Sequence, residues 1–308
     1  MGKVHYTLVT TYYKLMRKLR NVGVQPSSEQ LRASADALAL LNPMPMGTNL
    51  KMTALNGVPT GEISYRSAKH KGMFMFIHGG GFAFCSVKTH RSSVAYLCRI
   101  TGMTGFIPEY RLTPEYAYPI PINDCIDAYK GLLERHPNRP IHLFGDSAGA
   151  SLAAGMIHRM VAEGIQIPAS LILMSPWLDL RPESESIKLN NLEDSLFDKD
   201  DLIHYSEMYL MGEDPSNIEV SPVLGDVSYF PPTLIQVAKT ELLYPDSLKL
   251  AEKLKKAGVF YKLEEEEQLF HSWQLFPDYV PEARESLRKA ERFIEVDLVQ
   301  AHANKQLV

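Results

Sequence analysis

Hydrophobic and polar positions follow two different periods along this chain, and the change from one to the other divides it. In residues 1–21, Val4, Leu8, Tyr12, Leu15, Met16 and Leu19 recur at helical spacing while Lys14, Arg17, Lys18 and Arg20 fall largely elsewhere on the wheel, which predicts an amphipathic helix. A second helix is predicted over 28–41, with Glu29 in its first turn after Pro26-Ser27 and Asn42-Pro43 as its stop. From about Thr48 onward, short apolar runs alternate with helical patterns. Strands are predicted at 62–66, 73–77, 103–107, 141–144, 170–174, 233–238 and 259–264, and helices at 89–100, 121–135, 147–163, 245–257 and 281–300. The run Met73-Phe74-Met75-Phe76-Ile77 has no polar alternation, so both of its faces are expected to be buried. This order predicts the α/β class: a mostly parallel central sheet of about eight strands, flanked by helices, with ligands at the carboxyl ends of the strands.

One stretch breaks the rhythm. Residues 181–212 lie between two strands, hold a charged loop and a helix expected over 200–210, and are too long for a simple crossover. The two helices ahead of the first strand belong to no βαβ unit either. As an isolated arm they would serve solubility, dimerisation or transient contact of a basic face with anionic membrane. Taken with 181–212 they are expected to form a helical cap. The expected organisation is therefore a cap segment at 1–47, a core over 48–180, a second cap segment at 181–212 and the rest of the core over 213–308. Ordinary packing explains the apolar side chains of the inserted helix as readily as a pocket lining does.

Charge and cysteine usage narrow the field. A formal net charge of −4 supplies no broad basic surface, which argues against nucleic-acid binding. Cys85, Cys98 and Cys125 are odd in number and share no CxxC or CxxH spacing, so neither a disulfide framework nor a zinc site is expected. A reducing, cytoplasmic compartment fits that usage. No window reaches the apolar length needed to span a bilayer, and the first residues lack a signal-peptide pattern, so stable membrane insertion is not expected and the mature protein is expected to be the whole chain.

The candidate chemistry begins at Ile141-His142-Leu143-Phe144, a strand that runs straight into Gly145-Asp146-Ser147-Ala148-Gly149 and then into an alanine-rich helix. G-x-S-x-G at a sharp strand-to-helix turn forces the serine into a strained conformation, which small flanking residues alone permit. Such a turn lifts the Ser147 hydroxyl above the sheet and leaves the Ala148 amide at a helix N-terminus, where it can donate to a developing oxyanion. By itself the pentapeptide is common; the strand before it and the helix after it supply the context. Upstream, the 73–77 strand is followed directly by His78-Gly79-Gly80-Gly81-Phe82. Consecutive glycines let backbone amides approach a ligand, and no Lys-Ser/Thr follows as a phosphate-binding loop would need. Gly80 and Gly81 are expected to be oxyanion donors, each worth about 3 kcal/mol of barrier. Gly79 shapes the turn, and His78 anchors the loop rather than acting as a base.

Through these stretches the chain resembles the hormone-sensitive-lipase-like esterases, the bacterial family IV carboxylesterases of the α/β-hydrolase fold. The resemblance runs through HGGGF at 78–82, YRLTPEYAYP at 110–119, GDSAG at 145–149, SPWLDL at 175–180 and the stretches around 231–247 and 271–273. Thr113 departs from the alanine usual in that family, and Arg111 and Glu115 are read as a buried ion pair. The resemblance implies a serine nucleophile at Ser147, a histidine base at His271 and an acid at Glu241. Asp246 is the competing carboxylate, although the helix dipole explains an acid in a first helical turn without any catalytic role. Phe82, Trp177, Leu178 and Tyr209 are assigned to the substrate pocket. The implied substrates are small esters of short to medium acyl chains, with no metal or organic cofactor required. The run Glu264–267 is read as a solvated face, and a homodimer through the last sheet edge is a further expectation. Two alternatives stay open: an amidase or deacetylase on the same residues, and a small-molecule receptor on the same fold.

Overall fold

Leu55-Asn56-Gly57-Val58 opens the sheet. Asn56 and Gly57 both take positive φ, 45° and 85°, and Leu55 stands opposite Val58. This two-residue turn carries the twist that an antiparallel pair requires, and it joins β1 (Thr48–Leu55) to β2 (Val58–Tyr65). The computed structural model describes residues 27–66, 72–137, 139–186, 194 and 196–298. The helix expected over 1–21 lies outside the described residues.

β3 (Met73–Ile77), β4 (Thr104–Pro108), β5 (Ile141–Asp146), β6 (Ser170–Met174), β7 (Thr233–Ala238) and β8 (Tyr261–Glu266) complete an eight-stranded sheet in the order β1-β2-β4-β3-β5-β6-β7-β8. From β4 to β8 every pairing is parallel, whereas β1 with β2 and β2 with β4 are antiparallel. The sheet is thus the mostly parallel one expected, with an antiparallel hairpin added at one side. β1 escaped the sequence reading because its residues are largely solvent-facing and too polar to read as a strand.

The period of two sorts the core. Met73, Met75 and Ile77 of β3, with Leu143 of β5 and Leu171 and Leu173 of β6, face one apolar layer; Phe74, Phe76, Phe144, Ile172 and Met174 face the other. α3 (Ile120–Arg135), α4 (Ala148–Glu163) and α6 (Tyr244–Lys256) cover the first layer, and α2 (Val87–Thr101) and α7 (Pro281–Arg292) cover the second. Phe74 and Phe76 are fully enclosed, and truncating either to alanine would cost about 3–5 kcal/mol.

Two further helices lie over the carboxyl ends of the strands. α1 (Ser28–Ala39) begins with a reciprocal cap between Ser27 and Gln30, and α5 (Lys199–Leu210) with one between Asp198 and Asp201. Arg32 of α1 donates to the carbonyls of Ala83 (2.8 Å) and Thr113 (2.9 Å), and Thr113 Oγ1 donates to Met208 O of α5 (2.5 Å). Both helices therefore rest on the loop that follows β4, and α1 also on the loop that follows β3. The ion pair expected between Arg111 and Glu115 does not form. Arg111 instead grips Asp124 of α3 with Nε (2.8 Å) and Nη2 (2.6 Å), while Glu115 pairs with Arg32 across from α1 (2.7 Å). Chain reversal after β4 turns Arg111 toward the helix, and sequence spacing does not register that turn.

Candidate active site

The turn between β5 and α4 is built around steric exclusion. Ser147 stands at φ 53°, ψ −123°, outside the conformations that L-residues favour. A Cβ on Gly149 would sit 2.2 Å from Ile77 O, and one on Gly145 would sit 2.5 Å from Gly149 O, so neither position admits a larger residue. Ser147 N donates to Met174 O (3.0 Å) and Ser147 O accepts from Trp177 N (3.2 Å), which locks the turn to the end of β6.

The glycine loop runs against this turn. Gly79 N donates to Asp146 Oδ1 (2.8 Å), and a Cβ at Gly79 would stand 3.0 Å from the Cβ of Ser147. Gly80 and Gly81 take φ 99° and 57°, and the Gly80 carbonyl accepts from Ala83 N and Phe84 N. Among the described residues no acceptor is bonded to the Gly80, Gly81 or Ala148 amides. His78 is completely buried, donates from Nδ1 to Gly79 O (2.9 Å) and stacks on Tyr110 at 4.3 Å between centroids. Burial, with His90 nearby, presses its pKa down to about 3, so it is a neutral ring that braces the loop.

His271 follows β8, and Glu241 follows β7. Their side chains meet: Nδ1 of His271 donates to Glu241 Oε2 at 2.6 Å, with 3% and 1% of the two side chains exposed. Glu241 Oε1 accepts from Ala238 N (2.7 Å) and Ser175 Oγ (2.9 Å), which fixes the carboxylate from its other side. The Nε2 of His271 is buried and has no hydrogen-bond partner among the described residues. Burial works against a charged imidazole here, but the hydrogen bond and charge of Glu241, with Asp194 and Asp146 farther off, lift its pKa above the ordinary histidine value. Ser272 Oγ donates to Asp146 Oδ2 (3.2 Å), so the loop carrying His271 is tied to the residue just before Ser147. The structure joins His271 to Glu241, with Nδ1 committed to the carboxylate, and ties the loop of that imidazole to Asp146, the residue before the strained serine; the Gly80, Gly81 and Ala148 amides are unbonded among the described residues. Such a set can take a proton from a hydroxyl and receive a developing oxyanion.

A sequence profile described as the α/β hydrolase fold matches residues 74–275. The chain is 34% identical over 249 residues to an acetyl-hydrolase of Streptomyces hygroscopicus, covering 77% of this chain and 83% of that protein. It is also 34% identical over 265 residues to an esterase of Acinetobacter venetianus, covering 85% and 87%. The crystal structure of an esterase from the bacterial hormone-sensitive lipase family superposes with a TM-score of 0.85 at 29% identity, covering 92% of this chain and 96% of that one. A hormone-sensitive-lipase homologue from a metagenome library gives 0.86 at 30% identity, covering 94% and 97%. This chain belongs to the hormone-sensitive-lipase-like branch of the α/β hydrolases.

Within this hydrolase the second candidate acid sits elsewhere. Asp246 Oδ2 accepts from the amides of Leu178 (2.9 Å) and Asp179 (3.0 Å), and Oδ1 accepts from Ser186 Oγ. Burial pushes its carboxyl up to about 7, with the charge of Asp179 adding to the effect. Phe82 and Tyr209 stack at 3.9 Å, Phe82 meets Trp177 at 5.7 Å, and Leu178 is fully enclosed. All four belong to the same buried core layer, with Phe82 at the end of the glycine loop.

Two contributors went unnoticed in the sequence. Ser175, at φ 48° and wholly buried, donates to Glu241 and accepts from Ser272 N (3.1 Å), joining the acid to the loop of the base. Its place at the head of SPWLDL, directly after a buried strand, is the signal that could have exposed it. His90 of α2 meets Asp146 Oδ1 through Nε2 (3.0 Å). Burial alone would raise Asp146, but the charge and hydrogen bond of His90 and the Gly79 amide hold it below the ordinary carboxylate value. The thiol of Cys85, at the end of the glycine loop, is pushed well above the ordinary thiol range by burial and by Asp146. Among the described residues no cluster of three or more His, Cys, Asp or Glu is arranged to hold a metal ion, and no helix is long and apolar enough to cross a membrane.

Proposed function

We propose that this hydrolase is a serine carboxylesterase acting on small esters with short to medium acyl chains through an acyl-enzyme intermediate. The observation that carries the proposal is the buried imidazole of His271, whose Nδ1 is committed to Glu241 and whose Nε2 is free. In the proposed cycle Nε2 takes the Ser147 proton as Oγ bonds to the ester carbonyl carbon. The carbonyl electron pair moves onto oxygen, where the Gly80, Gly81 and Ala148 amides receive it. Glu241 holds the ring and stabilises its cation. The imidazolium then protonates the departing alkoxide, and water repeats the sequence to release the acid. No metal or organic cofactor enters the proposed steps. Relatives named esterase and acetyl-hydrolase support the ester class.

In this reading residues 1–47 and 181–212 form a cap over a core made of 48–180 and 213–308. The Tyr205 ring supports it, standing where a Cβ on Gly81 would come within 2.9 Å, and Ser28 Oγ reaches Met208 Sδ at 4.0 Å. Phe82, Trp177, Leu178 and Tyr209 are assigned to the floor of the substrate pocket, as the packing behind its lining. Three free cysteines are in keeping with a cytoplasmic site of action. A homodimer would use the open edge of β8, where a run of glutamates from Glu264 to Glu267 would face its own copy.

A series of p-nitrophenyl esters of increasing acyl length, run beside the matching anilides, tests the assignment. Turnover that is fastest on short esters and absent on anilides is expected. Saturable binding without turnover of any member would replace the esterase with a receptor, and faster cleavage of the anilides would replace it with an amidase.

A further inference from the structure

The segment between β6 and α5 touches the proposed base–acid pair through two residues that take no part in the cycle above. Asp194 is buried, with 4% of its surface exposed. Its Oδ2 accepts from the amide of Leu242, the residue after Glu241, at 3.0 Å. Its Oδ1 accepts from the amides of Leu196 (2.8 Å) and Phe197 (3.1 Å). One carboxylate therefore fastens the turn that carries Glu241 and also sets the backbone from which Phe197 projects. The Phe197 ring meets the His271 ring at 5.1 Å between centroids and 78° between planes, an edge-to-face contact, and meets Tyr205 of α5 at 6.5 Å and 84°.

We propose that Asp194 and Phe197 are positioning residues for His271, holding the ring against Glu241 and keeping water from their hydrogen bond. This rests on the role given to His271 above. The bond to Glu241 fixes Nδ1 but leaves the ring free to rock about that contact; an aromatic edge packed against it removes the remaining motion. Electrostatics adds a second effect. The charged and titratable groups facing His271 are Glu241 from the turn after β7, Asp194 from the segment before α5, and Asp146 from the end of β5, itself engaged by His90 of α2. Asp194 thus adds negative potential where the imidazolium forms, and that charge is wanted in the transition state.

The test compares Asp194→Asn, Phe197→Ala and Phe197→Leu with the unmodified enzyme, using p-nitrophenyl acetate with active sites counted by organophosphate titration. Asp194→Asn keeps shape and removes charge, so the imidazolium is less favoured, and the acid limb of kcat/KM is expected to move to lower pH by about half a unit. Phe197→Ala admits water to the ring, relieves its desolvation and is expected to move that limb to higher pH. In both variants kcat per titrated site is expected to fall about tenfold while KM stays within about twofold, and Phe197→Leu is expected to recover part of the loss. If Asp194→Asn and Phe197→Ala, both folded by circular dichroism, keep the original kcat and an unmoved limb, the positioning role is overturned, and reduced melting temperatures alone would mark the contact as structural. His271→Ala separates the two failures: should it retain turnover, the triad reading fails first, whereas its inactivity beside normal Asp194 and Phe197 variants sinks only this inference.

Discussion

The two halves of the candidate site are made differently. On one side, Ser147 and the glycine loop are shaped by backbone exclusion: Gly145 and Gly149 are small because carbonyl oxygens stand where a side chain would be. On the other, Glu241 accepts from Ser175 Oγ, the Ala238 amide and His271 Nδ1, and the loop of His271 is tied to Asp146 through Ser272 Oγ. Exclusion is local and acts through a few consecutive residues. A hydrogen-bond network is assembled from distant stretches, and each partner can be exchanged at a graded cost. The first half should therefore fail abruptly when altered, and the second by degrees.

Ser147→Ala breaks the exclusion-built side at its reacting atom. It is expected to lower kcat on p-nitrophenyl acetate by about 10⁵–10⁶-fold with the circular dichroism spectrum unchanged; turnover within tenfold of the unmodified enzyme would remove the serine from the mechanism. On the network side, Glu241→Gln is expected to cost about 10³–10⁴-fold, whereas Asp246→Asn, whose carboxylate faces the Leu178 and Asp179 amides, should change kcat less than about tenfold. A reversed ranking would exchange the two acids. Ser175→Ala removes a single strut between Glu241 and Ser272, and a loss of about tenfold in kcat, with about 1–3 kcal/mol of urea stability, is expected.

The smallest effects are read from pH. Because Glu241 raises the His271 pKa, the neutral base is lost as pH falls through a value above that of an ordinary histidine, and the acid limb of kcat/KM should lie there. Asp246 works through stability instead. Its folded carboxyl, near 7, keeps a proton that the unfolded chain gives up near 3.8, so unfolding free energy falls as pH rises across that window. Urea midpoints measured across it should slope downward, and Asp246→Asn should flatten the slope.

Legibility in the sequence followed the same division. The elbow, the glycine loop, the alternation of strands and helices, and the α/β class were readable because each rests on periodicity or on steric demand within a few residues. Asn56-Gly57 is a hairpin-turn signal that goes unused in the sequence reading, because the polar pattern of β1 hides the strand it serves. Glu241 and Asp246 sit five positions apart in one stretch, and their placing depends on α6 beginning at Tyr244, which turns Asp246 inward toward the 178–179 backbone. Arg111 meets Asp124 rather than Glu115, Ser175 is marked only by its place directly after a buried strand, and Asp194 carries no pattern that marks it. These are polar residues in aperiodic loops whose partners are chosen only when the chain closes.

The backbone of Ser147 gives the protein an unusual evolutionary exposure. A residue kept at φ 53°, ψ −123° taxes the fold by about 1–3 kcal/mol, and glycine at that position would be relieved of most of it. Heat resistance and turnover therefore pull in opposite directions at one codon. A library of this gene sorted only for survival at high temperature should enrich inert, sturdier molecules, and screens of it need a product readout from the first round.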